Sequence, residues 1–86
     1  MYSVDLSIKA QKFYGKADQP LARKLARCFE QLEQDPLQHS NIKQLKGKLA
    51  GHYRYRVGDY RVIYRIDDQG AAVRVLKIAH RSEAYG

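Results

Sequence analysis

Between His52 and Ile66 the sequence HYRYRVGDYRVIYRI alternates apolar or aromatic residues with basic ones on both sides of Gly58-Asp59. That spacing predicts two antiparallel strands joined by a two-residue turn, and it fixes their register. With Gly58-Asp59 as the loop, Val57 opposes Tyr60, Tyr55 opposes Val62 and Tyr53 opposes Tyr64. These residues make one coherent apolar face. The other face pairs Arg56 with Arg61 and Arg54 with Ile63, and sets Arg54 and Arg61 as diagonal neighbours roughly 7–8 Å apart. A slip of one residue would carry the arginines into the core, so the alternative register is strongly disfavoured.

Like charges set across from one another on a sheet repel. Arg54, Arg56 and Arg61 share their face with His52, and the hairpin offers only Asp59, at its tip, in compensation. Such a face is suited to an anion, and a phosphate backbone is the natural one. The competing reading is a solvated face on which long arginine side chains cover apolar surface. His52 is either incidental or, as a neutral imidazole beside the arginines, a group able to accept a proton.

The rest of the chain fits one small domain spanning residues 1–86. Its formal charge is +7, which favours acidic partners such as RNA, DNA, an anionic membrane or an acidic protein. The charge is interleaved with apolar residues rather than run together, which argues against a disordered basic tail. Cys28 is the only cysteine, so no internal disulfide forms, and no Cys/His cluster has metal-ligand spacing. The start MYSVDLSIKAQ lacks the pattern of a signal peptide. No apolar run approaches the roughly 20 residues of a membrane span. A cytoplasmic protein is therefore expected.

Tyr2, Val4, Leu6 and Ile8 alternate with polar residues as a half-buried strand does. Lys9 to Lys16 reads as a short helix. Asp18 is an N-cap for a second helix, with Pro20 in its first turn. Leu21, Leu25, Cys28, Phe29 and Leu32 then mark one buried stripe, and Asp35-Pro36 ends the helix. Leu37 to Gly51 reads as a connection pinned by Ile42, Leu45 and Leu49. Lys43, Lys46 and Lys48 stay exposed on it, either as solvated surface lysines or as contacts to a phosphate backbone. After the hairpin come the turn signal Asp67-Asp68-Gln69-Gly70 and a last strand, Ala72 to Ala79. That strand is apolar on both faces except for Arg74 and Lys77. The order predicts an α+β domain: an N-terminal strand, a helical hairpin and a three-strand antiparallel meander, forming one four-stranded sheet.

The run GHYRYRVGDYRVIYRI, followed by VLKIAHRSEAY, resembles the RelE/ParE superfamily of bacterial toxins from toxin–antitoxin pairs. The resemblance covers nearly the whole chain. It implies a strand–helix–helix–three-strand fold with a concave basic face, an antitoxin partner, and no membrane association or cofactor. RelE-like members cut mRNA in the ribosomal A site without a metal: the ribose 2′-OH attacks the adjacent phosphate, leaving a 2′,3′-cyclic phosphate and a 5′-OH. ParE-like members instead poison DNA gyrase.

Carried over by position, Arg61 matches the arginine that stabilises the phosphorane-like transition state, and Arg81 the second arginine of the site. Arg54 falls where RelE has a lysine of its basic cluster. Tyr85 matches the C-terminal tyrosine that stacks on or orients the substrate. His52 replaces a further lysine implicated in activating the 2′-OH, and His80 is the competing acid–base candidate. Arg56, His80, Lys46 and Lys48 complete the expected RNA-contacting set. The leading expectation is thus a ribosome-dependent endoribonuclease toxin. A gyrase inhibitor and a non-catalytic member that binds RNA or antitoxin are the alternatives.

Overall fold

The computed structural model describes residues 1–67 and 69–85. Asp68, in the expected turn, lies outside the described residues. The elements run β1 (Ser3–Leu6), α1 (Ile8–Lys16), α2 (Gln19–Gln34), β2 (Ile42–Gln44), a 3-10 turn (Gly47–Leu49), β3 (Tyr53–Val57), β4 (Tyr60–Asp67) and β5 (Ala72–His80). The strands form one sheet in the order β1-β5-β4-β3-β2. β1 runs parallel to β5, and all other pairs are antiparallel.

The α+β architecture is as expected, but the sheet has five strands rather than four. The added strand, β2, is three residues long and pairs Ile42 with Tyr55, Lys43 with Arg54 and Gln44 with Tyr53. Three residues are too few for a period-two pattern to stand out from a loop. A second correction concerns Ile8. It continues the alternation of β1 in sequence, yet it opens α1 and is 71% exposed. Ser7 ends the strand by capping the helix: its hydroxyl accepts from the Ala10 amide at 3.1 Å.

The hairpin has the expected register, from Val57 opposite Tyr60 to Tyr53 opposite Tyr64. Gly58 takes φ 58° while Asp59 stays out of the left-handed region, the pattern of a type II′ turn, whose first central residue is normally glycine. Asp18 caps α2 as expected, accepting from the Leu21 amide at 3.0 Å. The stripe residues Leu25, Cys28 and Leu32 are buried against Tyr55, Val57, Val62, Tyr64, Val73, Val75 and Ile78, with Leu21 and Phe29 packed at the margin. Tyr64 is wholly buried and its hydroxyl donates to the Pro36 carbonyl at 2.7 Å. A phenol this deep needs such a partner, and the bond fixes where the chain leaves α2.

β5 carries an irregularity that alternation did not anticipate. Ile63 pairs with Lys77 but Tyr64 pairs with Val75, so Leu76 is an extra residue. This β-bulge reverses which side each later residue faces. Val73 and Val75 face the helices, and so does Ile78. Arg74 and Lys77 are three residues apart, which in a regular strand would set them on opposite faces. Here both lie on the open face, across from Arg65 and Ile63.

Candidate active site

The face of the sheet away from the helices holds an open hollow of ≈ 650 Å³. Five parts of the chain supply its walls. Lys43 and Gln44 come from β2, and Lys46 and Lys48 from the segment around the 3-10 turn, with Leu45 and Leu49 beside them. Arg54 comes from β3 and Arg61 from β4. Arg81 and Tyr85 come from the tail after β5. Among the described residues, six of the lining side chains are cationic and none is acidic. The hollow therefore presents a single sign of charge within low-dielectric walls, which concentrates an anionic ligand.

The two hairpin arginines are held by backbone carbonyls. Arg54 is half-buried and its Nη1 donates to the Asn41 carbonyl at 2.6 Å. Asn41 in turn binds the Arg56 carbonyl through its side-chain amide at 3.0 Å, tying the start of β2 to β3. Arg61 is also half-buried, and its Nη1 donates to the carbonyls of Gly58 and Tyr60, both at 2.9 Å. Each guanidinium thus uses one nitrogen to fix its position and retains further donors for a ligand.

The tail is folded back over the open face. The Arg81 amide donates to the Asp59 carbonyl at the hairpin turn, 2.8 Å away. The Lys77 ammonium donates to the Glu83 carbonyl at 2.9 Å. Ile63 belongs to the open face by register, yet it is only 4% exposed, as is Ala84 in the tail. Neither belongs to the core between helices and sheet. Tyr85, at 48% exposure, presents its ring at the edge of the hollow.

Arg54, Arg61, Arg81, Tyr85, Lys46 and Lys48 are therefore brought together on one hollow. Lys43 joins them because β2 sets it opposite Arg54; the short strand concealed that pairing. Three other expected residues do not line the hollow. Arg56 is exposed and lines a separate shallow depression with Lys24 and Arg27 of α2.

His52 sits in the bend before β3, its Nδ1 3.1 Å from the Leu49 carbonyl and 3.4 Å from that of Ala50. Carbonyls only accept, so Nδ1 carries the hydrogen and the lone pair of the neutral ring lies on Nε2. His80 follows the bulge and therefore falls on the helix side, across from Tyr60. Its ring meets that of Tyr60 edge to face at 5.6 Å, and its Nδ1 accepts from the Ser82 amide at 3.2 Å. The spacing that betrays this shift is present in the sequence, in the opposite parity of Arg74 and Lys77.

A second groove lies on the helix side. Phe13, Leu21, Tyr60 and Ile78 form its apolar part, and Lys9, Lys12 and Lys16 stand along α1 beside it. The Phe13 and Tyr60 rings meet there at 5.6 Å.

The sequence and the fold both have counterparts among known proteins. The chain is similar to toxin RelG of Mycobacterium tuberculosis, with 40% identity over 58 residues, covering 67% of this chain and 64% of that toxin. It is similar to toxin RelE of the same organism, with 45% identity over 47 residues, covering 55% of this chain and 48% of that toxin. The aligned parts thus span a little under two thirds of the first toxin and about half of the second.

Over nearly the full chain the fold matches the toxin–antitoxin complex RelBE2 from Mycobacterium tuberculosis, with a TM-score of 0.81, 31% identity and coverage of 93% of this chain and 98% of that one. It also matches the RelE–RelB complex from Pyrococcus horikoshii, with a TM-score of 0.82, 27% identity and coverage of 96% and 98%. The family described as the ParE toxin of type II toxin–antitoxin systems, parDE, matches residues 4–85. The chain accordingly belongs to that toxin family, within the RelE/ParE superfamily.

Proposed function

We propose that this chain is the toxin of a type II pair and acts as an endoribonuclease on ribosome-bound mRNA. The observation that carries the reading is the convergence of Arg54, Arg61, Arg81 and Tyr85, from three separate parts of the chain, on one hollow with no acidic side chain among its described lining residues.

In the proposed reaction the ribose 2′-oxygen attacks the adjacent phosphorus and the bond to the 5′-oxygen breaks. The proton lost from the 2′-OH is balanced by one gained at the leaving 5′-oxygen. Negative charge on the phosphate grows on the way to the transition state. Arg61 and Arg81 stabilise that charge more than they stabilise the ground state, which is what accelerates the step. Arg54, Lys46 and Lys48 steer the flanking backbone, and Tyr85 offers a ring on which a base can stack. Neither His52 nor His80 lines the hollow, and His52→Gln and His80→Gln, assayed separately, test each as the acid–base group.

The proposed partner that silences the toxin is an antitoxin protein. The lysine-edged apolar groove beside α1 suits an acidic amphipathic segment of such a partner, through apolar burial and charge complementarity.

The deciding experiment is induced expression without the antitoxin, with mapping of mRNA 5′ ends. Growth arrest accompanied by codon-positioned cuts, both relieved by Arg61→Ala, supports the reading. Arrest with intact transcripts and a rising DNA-damage response would favour gyrase inhibition, the second reading, which the ParE description of the matching family keeps in view.

A further inference from the structure

We infer that Lys77 is a positioning residue: its ammonium clamps the tail that carries Arg81 and Tyr85 onto the open face of the sheet. The bulge at Leu76 turns Lys77 onto that face, next to Ile63. Its Nζ reaches the Glu83 carbonyl at 2.9 Å, two residues before Tyr85.

The other hydrogen bonds around Glu83 are local. The Glu83 amide binds the His80 carbonyl at 2.8 Å, and Ser82 binds His80 through both amide and hydroxyl. The Arg81 amide holds the tail's start to Asp59. Those bonds reach only the last residue of β5; beyond Arg81, among the described residues, the hydrogen bond that ties the tail to the interior of a strand is that of Lys77. Burial of Ala84 to 4% supplies the apolar part of the same closure. Lys77 does not line the hollow, so its effect on chemistry runs through where Tyr85 and Arg81 are held. A small displacement of such groups is enough to cost a large factor in rate.

The inference rests on the reading of the hollow as a cleavage site, and its test separates the two. In cleavage assays on programmed ribosomes, Lys77→Met is expected to lower kcat about 10- to 100-fold, with KM within about twofold. Lys77→Arg, which keeps a cationic donor, restores most of the rate. Once Tyr85→Phe is present, adding Lys77→Met costs less than it does alone, because the two act through one element. A raised KM and a weaker salt dependence at unchanged kcat would instead make Lys77 a direct phosphate contact and overturn the inference.

Amide exchange supplies a readout independent of activity. Residues 83–85 exchange faster in Lys77→Met while β4 and β5 stay protected. Unchanged exchange at the tail refutes the clamp. If Arg61→Ala and Tyr85→Phe leave cleavage intact, the reading of the hollow as the cleavage site falls, and the exchange data still decide whether Lys77 holds the tail.

Discussion

The hydroxyl of Ser7 donates to the carbonyl of Leu76 at 2.8 Å, while its oxygen accepts from the Ala10 amide at 3.1 Å. One side chain thus caps α1 and satisfies the carbonyl of the extra residue in β5, 69 positions away. Ser7→Ala removes both bonds. The expected cost is about 1–3 kcal/mol, from the lost cap and the half-buried carbonyl left without its partner. Urea unfolding of the two proteins checks this, with a lower midpoint at unchanged slope as the outcome.

Replacing Arg61 or Arg81 by Ala is expected to lower cleavage about 100- to 1,000-fold each, the usual loss when a preorganised donor to a developing charge is removed. Neither belongs to the core between helices and sheet, so circular dichroism and melting temperature should change little. Single-turnover rates on ribosomes measure the effect.

Binding to single-stranded RNA should weaken with salt. Each phosphate neutralised contributes a slope of about −0.7 in log K against log[salt]. Lys46→Gln and Lys48→Gln should each make that slope shallower by about that amount if each side chain meets a phosphate. Titrations at several salt concentrations read it directly.

Alkaline pH should destabilise the fold. Burial raises the Cys28 thiol above its ordinary value of 9.0, and burial likewise raises the Tyr64 phenol above 10.0. The folded chain therefore keeps protons that the unfolded chain releases. Both contributions are fully present below pH 9 and are lost progressively as pH climbs past the unfolded values, by up to about 1.4 kcal/mol per pH unit per group. Unfolding free energies between pH 8 and 11 test this. In Cys28→Ala the decline should begin about one unit higher, with Tyr64.

Reversing the charge of Lys9, Lys12 and Lys16 together should weaken antitoxin capture while leaving cleavage by the isolated toxin unchanged. These side chains lie along the helix-side groove, away from the arginine hollow. Calorimetry with the purified antitoxin, run beside the cleavage assay, separates the two surfaces.

Much of this arrangement is legible in the residues themselves. The turn at Gly58-Asp59 and strict alternation were sufficient for the register of β3 and β4. Asp18 and Pro20 were sufficient for the start of α2. What escaped depended on partners distant in sequence. Ile42–Gln44 pairs as a strand only because β3 offers it an edge, and Ile8 leaves the strand pattern because Ser7 caps a helix. His80 was placed with the arginines by proximity in sequence, and the extra residue at Leu76 puts it on the other side of the sheet. Arg81 and Tyr85 were assigned to the site by resemblance, since no local pattern reveals that a tail folds back.

The bulge also governs which changes this gene can absorb. Exchanging one apolar residue for another within β5 alters packing by degrees. Taking Leu76 into a regular ladder would turn Lys77 to the helices and send the tail off the opposite side of the sheet, whereas deleting Leu76 removes the bulge and leaves Lys77 on the open face. On either side of Leu76 the number of residues matters more than their identity. Surviving variants should therefore include many substitutions in β5, and single-codon deletions should survive at Leu76 and rarely elsewhere in the strand.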